Sequence, residues 1–149
     1  MSTIRNINIR DTSEIHQVNK LCLPENYPMD FYLSVVVKYS HLSYAVVTHG
    51  KIVGYILTIV ENLDGVVSGY IASIAVLHEW RRQQFAQKLI SAVMVALKGY
   101  SILSTHLHVR ASNTPAICLY KKLGYCIISV ESGYYADSED AFLMQKIIT

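Results

Sequence analysis

Apolar and polar positions along the chain follow two different periods, and the change from one to the other marks out the elements. Ile4, Ile7 and Ile9 suggest a first strand with only partial alternation. "DTSE" then offers Asp11 as an N-cap with Glu14 three residues on, a capping-box variant that opens a short helix. The two prolines of "LPENYP", Leu23 to Pro28, end that helix. A second helix is expected from about Met29 to Tyr39, where Val35, Val36 and Val37 would also suit a strand. "SYAVVT", "HG" and "KIVGYILTIVE" predict a hairpin with Gly50 in its turn. A loop over Asn62 to Ser68 and a strand from Gly69 to Val76 are expected next.

Phe85, Ala86, Leu89, Ile90, Val93 and Leu97 then recur at helical spacing, and Gly99, just past Lys98, suits a C-terminal cap. "THLHVR" reads as a strand. "SNTPAICLYKKLGY" reads as a helix capped by Asn113 or Thr114, with Pro115 in its first turn and Gly124 at its end. Two strands near Cys126 to Ser132 and Phe142 to Ile147 flank the polar loop "GYYADSED". Strands and helices mix without strict alternation. The expected class is α+β, a mixed, mostly antiparallel sheet of about seven strands with about four helices on its faces.

Composition narrows the picture. A chain of 149 residues that is 52% apolar and 16% charged suits one folded domain, residues 1–149. The net charge of +2 gives no electrostatic case for nucleic acid. The longest apolar run, Ile52 to Val60, is too short to span a bilayer. Cys22, Cys118 and Cys126 are odd in number and form no C-x-x-C pair, so they read as reduced thiols and point to the cytoplasm.

Two local features carry chemistry. Arg81 and Arg82 stand where a strand gives way to a helix, a place where N–H groups and partial positive charge already favour an anion such as phosphate. The turn lacks the glycine that phosphate loops normally use. His106 and His108 alternate on one strand face, but no third ligand has metal-binding spacing. They are expected to pack and hydrogen-bond. "HE" at His78 and Glu79 lacks the second histidine of a zinc-protease helix, so no metal is expected.

The order strand, arginine turn, helix, strand, followed by N-x-x-A-x-x-L-Y-x-x-x-G-Y from Asn113 to Tyr125, resembles the GNAT acetyltransferase superfamily. "LCLPENY", "HVRASN" and "YYADSEDAFLM" narrow the resemblance to the catalytic subunit of NatA-type N-terminal acetyltransferases. The resemblance implies a GNAT fold with a splayed central strand pair, and a bulge that turns N–H groups of Ile74, Ala75 and Val76 towards an acetyl carbonyl. It implies that the backbone of Arg81, Arg82, Gln83, Gln84, Phe85 and Ala86 wraps the pyrophosphate of acetyl-CoA. Gln84 stands where the superfamily motif R-x-x-G-x-A has glycine. At a helix start φ is normally negative, so Gln84 should be accommodated, with weaker acetyl-CoA binding.

By the same resemblance Asn113 and Tyr120 lie near the cofactor arm and thioester sulfur. Glu25 would act as base towards the amine, with Arg110 anchoring Glu25 or a tyrosine hydroxyl. Leu23, Pro24 and Tyr27 would line one wall of the peptide groove, and Tyr134 the other by hydrogen bonds to the substrate backbone. Tyr135 would serve as acid or base. Tyr70 replaces a histidine common in the NatA-like pattern, so proton relay there would be arranged differently. The implied reaction is direct acetyl transfer to protein N-termini beginning with Ser, Ala, Thr, Gly or an acidic residue. A helical-repeat auxiliary subunit and ribosome association are possible partners. Alternatives are a ribosomal-protein-type N-acetyltransferase, or a non-catalytic subunit whose CoA binding is weakened by Gln84.

Overall fold

A computed structural model describes all 149 residues, Met1 to Thr149. Its centre is a seven-stranded sheet in the order β1-β2-β3-β4-β5-β7-β6. The strands are β1 (Ser2–Asn6), β2 (Tyr44–Thr48), β3 (Lys51–Leu63), β4 (Val66–Val76), β5 (Ser104–Arg110), β6 (Cys126–Glu131) and β7 (Ala141–Ile147). The helices are α1 (Thr12–Cys22), α2 (Met29–Tyr39), α3 (Phe85–Gly99) and α4 (Thr114–Lys122). Every strand pair is antiparallel except β4 and β5, which run parallel.

The central strands are apolar on both faces because helices cover both. On β3, Ile52, Tyr55 and Leu57 join a cluster with Ile15 and Val18 of α1 and Val35 of α2. Val53 and Ile56 point the other way, into a larger cluster with Leu89, Val93 and Leu97 of α3 and Ile117 of α4. Gly69 lets α3 press directly on β4, since a Cβ there would stand 2.6 Å from Cδ1 of the buried Leu97. The fit falls where β4 begins to pair with β5.

Several boundaries differ from expectation for physical reasons. Asn8, not Asp11, supplies the first cap. Its Oδ1 accepts from Arg10 N at 2.9 Å, and the Asp11 carboxylate reaches back to Asn8 N at 2.8 Å. A short 3-10 turn, Ile9–Asp11, therefore precedes α1, and Asp11 also pairs with Arg5 at 2.7 Å. The side chain of Glu14, in the first turn of α1, reaches across to β3 and accepts from Ile52 N at 2.9 Å. The valines of α2 stay helical, with Val35 and Val36 buried and Val37 exposed. The expected loop at Asn62 to Ser68 is a tight hairpin instead. Asp64 and Gly65 take φ of 50° and 86°, and Asn62 Oδ1 accepts from Gly65 N at 2.7 Å. Gly99 is the last residue of α3 rather than its cap, and Ser101 takes the left-handed φ of 58°.

Candidate active site

β4 and β5 pair over only three positions, Gly69↔Thr105, Tyr70↔His106 and Ile71↔Leu107. On the other side of β4, Leu57 faces Ser73 and Thr58 faces Ile71, so Ala72 is the extra residue of a bulge. A bulge bends its strand and increases the local twist, and beyond Ala72 the two strands part. The gap opens into a groove of about 590 Å³.

Backbone direction in the gap follows from strand alternation. Leu77 N donates to Val53 O at 2.8 Å, so Leu77 and, two residues back, Ala75 bond towards β3. Ile74 and Val76 consequently turn their N–H groups into the gap. The Val76 carbonyl confirms the direction, since it accepts from Arg81 Nε at 2.9 Å and from Cys22 Sγ at 3.6 Å. The structure thus corrects the grouping of Ile74, Ala75 and Val76 as donors: Ala75 contributes wall alone. A second cavity of about 190 Å³, bordered by Ala75, Val76, Arg81, Ala86 and Tyr120, extends the groove towards the arginine turn. Tyr120 borders both cavities, and burial pushes its hydroxyl up to about 12.

The turn overturns the expectation for Gln84. Arg82 and Gln84 both take left-handed φ, 65° and 63°, although neither is glycine. The side chain of Gln84 is exposed and makes no capping bond. From Arg82 through Gln83, Gln84, Phe85 and Ala86 to Gln87, no backbone N–H donates to a protein acceptor; the first such bond is Lys88 N to Gln84 O at 3.0 Å. A left-handed residue leading into a right-handed helix forms a concave array of N–H groups, an anion nest. The helix N-terminus beneath adds partial positive charge. The donor set fits a pyrophosphate, and Arg81 and Arg82 border a further cavity of about 280 Å³ beside it.

The opposite end of the groove is built from side chains. Arg110, at the end of β5, donates from Nε to Glu25 Oε1 at 2.8 Å and also reaches Glu25 through Nη2. Its Nη1 reaches Asp137 at 2.8 Å and Glu139 at 2.8 Å, and its guanidinium lies 4.2 Å from the centre of the Tyr135 ring. Arg110 thus binds Glu25 rather than a tyrosine hydroxyl. The hydrogen bonds it donates to Glu139 and Glu25 raise its pKa further. Glu139 also accepts from Ser112 N at 3.0 Å, and that bond together with Arg110 holds its carboxyl below the usual range.

Tyr27 stacks on Phe31 at 4.0 Å and donates its hydroxyl to the bulged carbonyl of Ala72 at 3.1 Å. Leu23 and Pro24 line the same wall. Tyr134 stacks on His108 at 4.3 Å and meets Tyr135 edge-on at 5.1 Å. Tyr70 shares a hydrogen bond of 2.9 Å with His108 Nδ1, and His108 Nε2 contacts Glu131 at 2.9 Å. His106, one turn of the pleat away, lies between Ser68 at 2.7 Å and Glu61 at 2.7 Å. The histidines do hydrogen-bond, as expected, but His108 also borders the groove. Burial first, then neighbouring tyrosines and carboxylates, pushes Tyr27 up to about 12 and raises Tyr70 and Tyr135 beyond the ordinary tyrosine value. All three are neutral hydroxyls at physiological pH.

Sequence reasoning missed His108 as a groove residue, Glu131 as its partner, and Asp137 and Glu139 as partners of Arg110. The two acids were visible within "YYADSED", but their common partner lies more than 25 positions away on β5. Asn113 caps α4 weakly, accepting from Ala116 N at 3.4 Å, and borders the groove.

A bulged strand parted from its parallel neighbour, an N–H nest at one end and an ionic cluster at the other together define an acyl-CoA-dependent transferase class. Residues 9–125 match the acetyltransferase (GNAT) family, and the chain belongs to it. It is 39% identical to an N-alpha-acetyltransferase of Saccharolobus solfataricus, over 97% of this chain and 92% of that one. It is 40% identical to the N-terminal acetyltransferase A complex catalytic subunit NAA10 of Arabidopsis thaliana, covering 98% of this chain and 78% of that one. Among solved structures, Ard1 from Thermoplasma volcanium superposes with a TM-score of 0.91 at 26% identity, covering 99% and 98% of the two chains. No helix is long and apolar enough to cross a membrane.

Proposed function

We propose that the protein is a peptide α-N-acetyltransferase that moves acetyl from acetyl-CoA to the free amine of a protein N-terminus. The observation that carries this reading is the run of unpaired N–H groups from the 82–87 nest to Ile74 and Val76, ending at the Glu25–Arg110 cluster. A pyrophosphate on the nest leads the pantetheine arm past Val76 and Tyr120 into the gap. The acetyl carbonyl then meets the N–H groups of Ile74 and Val76, which are aimed where negative charge develops.

An N-terminal amine has a pKa of about 8 and must lose its proton to attack. Glu25 takes both Arg110 contacts through Oε1, leaving Oε2 free to accept that proton. Arg110 holds the carboxylate in place. The hydrogen-bonded line Tyr70, His108, Glu131 offers a second path for the proton to the solvent edge of the sheet. As the new C–N bond forms and the C–S bond breaks, the proton that left the amine balances the departing thiolate, and Tyr135, kept neutral by burial, hydrogen-bonds to the sulfur and relays that proton. Tyr134 hydrogen-bonds the peptide backbone.

Ser, Ala, Thr and Gly suit the first position better than an acidic residue. The cation at the groove, Arg110, is already shared by Glu25, Asp137 and Glu139, so an incoming carboxylate would meet net negative charge. The loop at 23–28 is already held by Tyr27 and Glu25, so the isolated chain is expected to turn over without a helical-repeat partner. Such a subunit and the ribosome remain candidate partners that would add affinity. The three free thiols suit the cytoplasm.

The test is a calorimetric titration with acetyl-CoA, followed by thiol release with a Ser-starting peptide across pH. Binding is expected, with kcat/KM rising through about pH 8 as the amine deprotonates. No alkaline fall is expected before about pH 10, because the groove tyrosines titrate above their ordinary range. Absence of binding at millimolar acetyl-CoA would sink the enzyme reading.

A further inference from the structure

Behind the bulge lies a polar group that the reaction just described does not use. Tyr55 of β3 is fully buried, 0% exposed, in the otherwise apolar cluster between α1 and the sheet. Its hydroxyl stands 2.7 Å from Ser73 Oγ, and Asn19 Nδ2 of α1 donates to it at 2.9 Å. Asn19 is itself 0% exposed, and its Oδ1 has no partner. Burying such groups is unfavourable, and an apolar trio of similar volume would pack without leaving an orphaned oxygen. Their placement is informative. Ser73 directly follows the bulged Ala72 and borders the groove.

An amide nitrogen only donates, so the Tyr55 oxygen accepts from Asn19, while the Tyr55 and Ser73 hydroxyls share a hydrogen bond of 2.7 Å. Burial raises the Tyr55 pKa and keeps its hydroxyl protonated. The line therefore pins Ser73 from the α1 side while Tyr27 pins the Ala72 carbonyl from the loop side. One turn along α1 from Asn19, Cys22 holds the Val76 carbonyl. The free N–H groups of Ile74 and Val76 lie between these anchors.

We propose that Asn19, Tyr55 and Ser73 are positioning residues for acetyl transfer, fixing the bulged segment of β4 so that its N–H groups stay aimed at the acetyl carbonyl. The inference rests on the acetyltransferase reading above. Loss of the line lets that segment shift, and displacement of donors by about 1 Å costs rate far more than binding.

The experiment compares wild type with Tyr55→Phe, Ser73→Ala and Ser73→Thr by kcat, KM for acetyl-CoA and peptide, pH profile and thermal unfolding. Tyr55→Phe and Ser73→Ala are expected to lower kcat on the order of tenfold or more. KM for acetyl-CoA should change less than twofold and the pH profile should keep its shape. Ser73→Thr, which retains a hydroxyl, restores most of kcat. Should Tyr55→Phe fail to fold, Ser73→Ala with its threonine rescue decides the matter alone. An active wild type whose folded variants keep full kcat, or whose serine variant is not rescued by threonine, overturns the positioning role. An inert wild type instead overturns the acetyltransferase reading and takes this inference with it.

Discussion

The two ends of the β4–β5 gap are built by different means. At the peptide end side chains do the work: Arg110 gathers Glu25, Asp137 and Glu139, each from a separate stretch of chain, and lies on the ring of Tyr135. At the cofactor end the backbone does it. The N–H groups of 82–87 are free, and the side chain that departs most from the family motif, Gln84, points to solvent. A site made of side chains is specified by residue type. A site made of N–H groups is specified by φ, and tolerates any residue able to bear that φ. Gln84 survives on those terms, at a conformational cost of about 1–2 kcal/mol for a non-glycine residue in the left-handed region.

The sharpest way to break the comparison is at Arg110. Replacing it by alanine leaves Glu25, Asp137 and Glu139 facing one another without their shared cation. The peptide kcat/KM is expected to fall on the order of a hundredfold, with acetyl-CoA affinity unchanged. Arg110→Lys should not rescue it, because an ammonium cannot supply the fork that engages three carboxylates. Steady-state kinetics with calorimetry checks both arms. An equal loss of acetyl-CoA affinity would show that the two ends are not separable.

A smaller effect tests the backbone end. Gln84→Gly removes the left-handed strain but adds glycine's chain entropy, for a net stabilisation of about 0.5–1 kcal/mol. In a chain of this size that is a rise of about 2 °C in Tm. The acetyl-CoA dissociation constant should change little, because the nest is already formed without the cofactor and the strain is borne on folding. Gln84→Ala, which keeps the strain and removes the side chain, should change little. An alanine variant that matched the glycine variant in Tm would show that crowding, and not φ, is what glutamine contributes.

That contrast also explains what the sequence made legible. Strand and helix periods reported the sheet and its four helices, because each face is buried against a partner of matching period. Glu25, Arg110 and Tyr135 were readable from motif. The Arg110–Glu25 pair was one of two expected arrangements, but Asp137 and Glu139 were not expected to join it, since they meet Arg110 only when the 133–140 loop folds back over β5. The φ at Gln84 was hidden because the helix begins one residue later, at Phe85, and the turn before it obeys different geometry. Asn8 was overlooked as a cap because a 3-10 turn precedes α1 and displaces the helix start from the first acceptor. The pairs His106–Glu61 and His108–Glu131 each link residues from distant strands, so no local pattern could announce them.

The smallest predicted effect falls at Asn113, where the two modes of building overlap. Its Oδ1 caps α4 over a long 3.4 Å contact, so Asn113→Ala should cost only about 0.5 kcal/mol, the low end for a lost cap. Its Nδ2 has no protein acceptor and the residue borders the groove, so acetyl-CoA affinity is expected to weaken a few-fold as well. Thermal unfolding and calorimetry of Asn113→Ala measure the sum of the two effects. Asn113→Ser separates them, because serine keeps a capping oxygen while losing the amide donor. Stability restored with affinity still weakened would assign the amide to the cofactor arm. Affinity restored together with stability would make Asn113 a cap alone, and would leave the cofactor end dependent on backbone from the nest to Val76.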